Sequence, residues 1–148
     1  MESYQRILCA TDFSSHSEVA AQRAAQMAER YGAQLTLLHV IEYFPVSRSN
    51  EMIAPEDIDP ATYRDQRAKA VLTEVAERLV HKDVKQEVVF SDHSAKHAII
   101  RYAEEHQADL IVLATHGHHG IADLLGSTAN GVVHGVSCDV LVVRVSGE

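Results

Sequence analysis

Apolar positions along the chain fall into two alternating kinds of pattern. Short apolar runs occupy residues 6–11 (RILCAT), 34–40 (QLTLLHV), 85–90 (KQEVVF), Leu110–Ala114 (LIVLA) and 139–145 (DVLVVRV). Runs of this length, bounded by turn-forming residues, predict strands. LIVLA is apolar at every position, which fits a central parallel strand covered on both faces. Between the runs the spacing becomes helical. Ala20, Ala21, Ala24, Ala25 and Ala28 form a stripe of small residues that lets a helix approach a sheet closely. That helix is predicted to begin at Ser15, with Glu18 three residues on completing a capping box, and to stop at Gly32. Asp59 followed by Pro60 predicts an N-cap with proline at the first helical position. Ala68, Val71, Leu72, Val75, Ala76 and Leu79 then recur at helical spacing. Ser94 opens a third helix with Ala95, Ala98, Ile99, Tyr102 and Ala103 on its apolar face, and residues 127–134 predict a short fourth one. Residues 41–59 show no period, contain two prolines and include the polar stretch Ser47, Arg48, Ser49 and Asn50, so they predict a long loop.

Strands alternating with helices imply right-handed crossovers and a parallel sheet. The expected fold is α/β, a three-layer, doubly wound, five-stranded parallel sheet with helices on both faces, in one domain spanning residues 1–148. Ligands of such sheets bind beyond the carboxyl ends of the strands, where strand order reverses. That rule directs attention to the loop after Cys9, Ala10 and Thr11 and to the loop after Leu113 and Ala114.

Composition narrows the function classes. A net charge of −8 disfavours binding to the backbone of DNA or RNA. The longest charge-free apolar run has five residues, far short of a membrane span, and residues 1–6 carry no signal-peptide pattern, so a cytoplasmic location is expected. Cys9 and Cys138 are far apart in sequence and are expected to be free thiols.

Candidate chemistry concentrates in residues 114–131, ATHGHHGIADLLGSTANG. Gly117 and Gly120 flank a turn, and Gly126, Ser127 and Thr128 open the fourth helix. Glycine allows close backbone approach, and a helix N-terminus presents unpaired N–H donors and partial positive charge to anions. This is chemistry for a phosphate or a carboxylate; Gly-Ser-Thr is equally an ordinary helix start. Neither a Walker A loop nor a GxGxxG fingerprint is present. No Lys or Arg occurs between Leu110 and Val143, so bound phosphates would rely on backbone dipoles, hydroxyls, a divalent cation, or His116, His118 and His119.

A strand leading into Asp12, a strand ending in LHV, and the block DLIVLATHGHHG…LLGSTANGVVHGVSCDVLVVR together resemble the universal stress proteins over essentially the whole chain. The resemblance implies strand order 3-2-1-4-5, a homodimer joined along the last strand, and binding of ATP or a related adenine nucleotide, with or without magnesium. Family members that bind ATP carry G-x2-G-x9-G-[ST]. Carried over by position, Asp12 and the backbone of Val40 would hold adenine or ribose. Gly117, Gly126, Ser127 and Thr128 would hold phosphates, beside Ala114, His116, His119 and Gly120. Ala114 stands where the first glycine of the motif belongs, and eight residues instead of nine separate Gly117 from Gly126. The expectation is a stress-response regulator that works through nucleotide occupancy and is read by a regulatory protein partner. The alternative is a dimeric adaptor that binds no nucleotide.

Other chemistries fit less well. Ten histidines raise a metal site, but a structural zinc site wants four well-spaced ligands, usually with Cys, and neither Cys lies near the His cluster in sequence. Asp12, Ser127 and a His could be drawn as a triad, yet no GxSxG elbow occurs, so no catalytic residue is assigned and at most weak ATP hydrolysis is expected. The last strand, from Asp139 to its end at Val145, lacks the inward charge or proline that usually guards a lone edge, which favours pairing across a two-fold axis.

Overall fold

The structure, a computed structural model, describes residues 3–42, 59–115 and 126–145. The elements follow in strict alternation: β1 (Arg6–Ala10), α1 (Ser15–Tyr31), β2 (Gln34–Glu42), α2 (Pro60–Glu77), β3 (Val84–Ser91), α3 (Ala95–Glu105), β4 (Leu110–Ala114), α4 (Ser127–Gly135) and β5 (Asp139–Val143). All strand pairs are parallel, in the order β3-β2-β1-β4-β5. This is the predicted sheet.

The strand period of two separates the core into two layers. Ile7, Cys9, Leu35, Leu37, Leu110 and Val112 point to one face and pack under α1 and α2. Leu8, Leu38, Ile111 and Leu113 point to the other and pack under α3 and α4. The alanine stripe works as the spacing implies: Ala20, Ala21, Ala24, Ala25 and Ala28 are all fully buried in the first layer. Gly32 closes α1 at φ +65°, a left-handed conformation in which glycine escapes the Cβ clash.

Several strand boundaries and one cap differ from the sequence reading; β1 stops at Ala10, and β3 spans Val84–Ser91 instead of 85–90. Ile41 and Glu42 belong to β2, because pairing with Phe90 and Ser91 of β3 carries the strand past Val40 and buries Ile41. The last strand ends at Val143, where its pairing with Ala114 ends. Ser15 and Glu18 form no capping box. Ser14 is the N-cap of α1 and its hydroxyl accepts from Ser17 N, because the turn after β1 already places Ser14 in extended backbone. Glu18 is instead taken by Arg78 at the end of α2, with Nε–Oε2 at 2.6 Å and Nη2–Oε1 at 2.8 Å. This two-pronged hydrogen bond holds the Glu18 carboxyl below its usual range.

Cys9 and Cys138 are free thiols. Burial pushes Cys9 up to about 12. Burial also raises Cys138, with the carboxylates of Asp139, Asp109 and Glu104 acting in the same direction. Among the described residues no helix is long and apolar enough to cross a membrane.

The contact between α1 and the sheet yields a stability expectation. Ala24→Leu inserts three heavy atoms where no free surface exists. We expect a loss of about 1–3 kcal/mol, read as a lower midpoint in urea denaturation with an unchanged slope.

Candidate functional site

β1 and β4 lie side by side, Ile7 opposite Leu110 and Cys9 opposite Val112, yet their chains leave the sheet in opposite directions. The chain after β1 goes to α1 on one face, and the chain after β4 leads to α4 on the other. A crevice opens at this divergence. It is walled by Thr11 and Asp12 after β1, Leu38 and Val40 from β2, Ala95 and Ile99 from α3, Leu113, Ala114 and Thr115 from β4, and Thr128 and Ala129 from α4. Its volume of 120 Å³ lies below the ~300 Å³ at which small-molecule sites begin.

The turn from β1 into α1 is fixed by short side chains. Ser17 Oγ donates to Ser14 O at 2.9 Å, so in the 2.8 Å contact between Thr11 Oγ1 and Ser17 Oγ the donor is Thr11. Thr11 Oγ1 in turn accepts from Phe13 N at 3.0 Å. Phe13 sits at φ +69°, which costs a non-glycine residue roughly 1 kcal/mol. Its ring stacks on His39 at 3.9 Å between centroids. His39 Nδ1 lies 2.8 Å from Thr11 O, and a carbonyl accepts only, so Nδ1 carries the proton. Burial lowers the His39 pKa and outweighs the carbonyl and Asp12, which raise it, so the neutral ring keeps its lone pair on Nε2.

Asp12 stands at the crevice with its Oδ1 accepting from Ser14 N at 3.0 Å. Burial raises its carboxyl, but hydrogen bonds from the Ser14 hydroxyl and amide more than compensate, leaving it below the usual carboxylate range. It is a fixed acceptor, suited to hydroxyl or amino groups of a ligand.

The far wall has the opposite character. Gly126 is the N-cap of α4 and cannot offer a side chain, and the first helical bond is Asn130 N to Gly126 O. Among the described residues, α1 is capped by Ser14 and α2 by Asp59, while Ala95 N of α3 donates to Glu42 Oε2 at 2.6 Å. No side chain does this for α4. Its leading N–H groups are open to an acceptor. Gly126 has φ −63°, so the backbone angle there does not demand glycine. Its contribution is the lack of a side chain that would compete for the α4 amides.

The structure thus brings Asp12, Val40, Ala114 and Thr128 to one crevice, with Gly126 and the exposed Ser127 at the α4 end. His116, Gly117, His119 and Gly120 lie outside the described residues, as do His118 and the loop over 43–58. Among the described residues no three His, Cys, Asp or Glu side chains gather as metal ligands. His93 and His97 do meet edge to face at 5.6 Å, but their Nδ1 atoms go to Asp92 and Ser94. Sequence reasoning missed Thr11, Ser17, His39, Ala95, Ile99 and Thr115. The adjacency of Thr11 to Asp12 was a usable signal, whereas contacts across elements had none.

A doubly wound parallel sheet with a crevice at its switch point, acceptor-lined on one side and donor-lined on the other, defines a three-layer α/β domain. The chain belongs to the universal stress protein family, whose model, described as "Universal stress protein family", matches residues 3–144. It is 38% identical over 140 residues to universal stress protein A homolog 1 of Coxiella burnetii, covering 95% of this chain and 96% of that one. Homolog 2 of the same organism is 33% identical over 155 residues, with 100% of both chains covered. Among solved structures, universal stress protein UspA from Lactobacillus plantarum superposes with a TM-score of 0.69 at 27% identity, covering 97% of this chain and 100% of that one. A universal stress protein in complex with cAMP gives a TM-score of 0.70 at 27% identity, covering 97% and 98%.

Ser14→Ala tests the electrostatics of the turn. The substitution should cost about 1 kcal/mol as a lost N-cap. It should also raise the Asp12 pKa, read by NMR titration of the carboxyl. A depressed native pKa gives stability that is present above the unfolded value near 3.9 and lost as pH falls through the native value. The difference in stability between wild type and Ser14→Ala should therefore shrink on acidification below about pH 4.

Proposed function

We infer that this protein is a cytoplasmic adenine-nucleotide-binding regulator that acts through occupancy and not through turnover. The observation that carries the reading is the pairing of opposite chemistries across one crevice. Asp12 supplies a fixed acceptor and the uncapped start of α4 supplies donors with partial positive charge. A ligand with hydroxyl or amino donors at one end and phosphate at the other matches both. The cAMP complex of the related protein supports the adenine nucleotide as that ligand. ATP, with or without magnesium, is the occupant we favour.

Binding without chemistry has its own support. Asp12 is the carboxylate lining the crevice among the described residues, and its lowered pKa makes it a weak base. The hydroxyls of Thr11 and Ser17 are engaged with each other and with the backbone, so neither is poised as a nucleophile.

The position of β5 at one end of the sheet supports a homodimer formed along that strand, through which a regulatory protein partner would read occupancy. Val140, Leu141 and Val142 are each only partly covered within one chain.

Isothermal titration calorimetry with ATP, with and without magnesium, is the test of the nucleotide reading. We expect saturable binding, weakened modestly by Ser127→Ala and abolished by Gly126→Val, whose side chain would fill the space before the α4 amides. Absence of heat and of any shift in melting temperature at millimolar ATP would leave the adaptor reading in its place. Light scattering tests the assembly: a mass near twice 16.3 kDa is expected, and a monomer at high concentration would remove the β5 interface.

A further inference from the structure

Residues 110–143 carry no Lys or Arg, so the phosphate end of the crevice has no cation of its own in sequence. The fold supplies one from elsewhere. Lys96 is the second residue of α3, half-buried against α4. A Cβ placed on Gly131 of α4 would collide with Lys96 Cδ and lie 3.3 Å from Cγ and 3.4 Å from Cβ. The lysine stem therefore lies across the bare backbone of Gly131. One turn further along each helix, Ile100 fills the corresponding space over Gly135. The contact pairs 96 with 131 and 100 with 135 make α3 and α4 run in the same direction.

Two geometric rules then fix where the lysine heads. Side chains on a helix lean toward its N-terminus, and one turn rises 5.4 Å, about the reach of a lysine stem. In parallel helices the turn preceding Gly131 carries Ser127 and Thr128, at i−4 and i−3 on the same side of α4. Thr128 lines the crevice, and so does Ala95, the neighbour of Lys96.

The placement is otherwise unfavourable. A cation in the first turn of a helix opposes the macrodipole. Among the described residues Lys96 makes no ion pair and no hydrogen bond that would offset this. The Glu42 carboxylate is spent on the amide of the neighbouring Ala95. A polyanion at the start of α4 would supply the missing partner.

We propose that Lys96, laid over Gly131, is the residue that binds the terminal phosphates of a nucleoside triphosphate and makes the crevice prefer ATP to AMP. This rests on the nucleotide reading above. Gly131 is part of the device, because any side chain there would push the lysine away.

Calorimetry on the full chain with ATP and AMP, in magnesium, decides the matter. Lys96→Met should weaken ATP about tenfold, the worth of one charge-assisted hydrogen bond, and leave AMP within about twofold. Lys96→Arg should restore ATP affinity to within about threefold of wild type. Gly131→Ala, which gains helix propensity and displaces only a flexible side chain, should weaken ATP as Lys96→Met does. The double variant should be no weaker than Lys96→Met alone. Wild-type affinity for ATP in Lys96→Met overturns the role of Lys96 while sparing the nucleotide reading. Failure of ATP to bind the wild type overturns both.

Discussion

The adjacency of β1 and β4 is the constraint from which the working end of this molecule follows. These two strands share a ladder although the sequence between them holds three helices and two further strands. Each must send its chain into a right-handed crossover, one toward β2 and the other toward β5. The two connections therefore set out toward opposite faces of the sheet, and the crevice lies where they part. The crevice is a topological consequence before it is a chemical one. The side chains only decide what it can hold: Asp12 because it follows β1, Ala114 and Thr115 because they end β4, and Thr128 because α4 starts where the β4 chain returns.

Division of labour among the helix starts depends on the same arrangement. One leading amide in each of α1, α2 and α3 is taken by a side chain, of Ser14, Asp59 and Glu42 respectively. For α3 the partner is remote in sequence. Glu42 reaches Ala95 only because β2 runs two residues beyond Val40, kept extended by pairing with β3. The length of an edge-side strand thus closes one helix start beside the crevice and leaves the start of α4 as the one offered to a ligand. Arg64 Nη2, donating to Glu42 O at 3.4 Å, ties α2 into the same corner.

Much of the architecture was legible in the chain. Period-two runs, the alanine stripe, Asp59-Pro60 and Gly32 each encode a local event whose cause lies within a few residues. That is why helix starts and stops and the five strands could be read. The errors lie where the cause is distant. Nothing local shows that Ile41 and Glu42 will find Phe90 and Ser91, or that Glu18 will be claimed by Arg78 sixty residues away. The crevice shows the same split. Asp12, Val40, Ala114 and Thr128 sit at strand or helix ends and could be placed by the family's motif, whereas Ala95 and Ile99 enter through packing between elements. Lys96 was the hardest to foresee, since its neighbour Gly131 reads in isolation as a poor helix residue.

The state of the two thiols has a bearing on which stresses this chain can register by itself. Peroxide reacts with thiolate, and the reaction needs an exposed, acidified sulfur. Cys9 is sealed between the sheet and α1, and Cys138 sits among carboxylates that oppose ionisation. Both thiols are held toward the protonated form, so neither is set up for fast reaction with peroxide. A thiol-based peroxide sensor of the usual kind is therefore not built into these two positions.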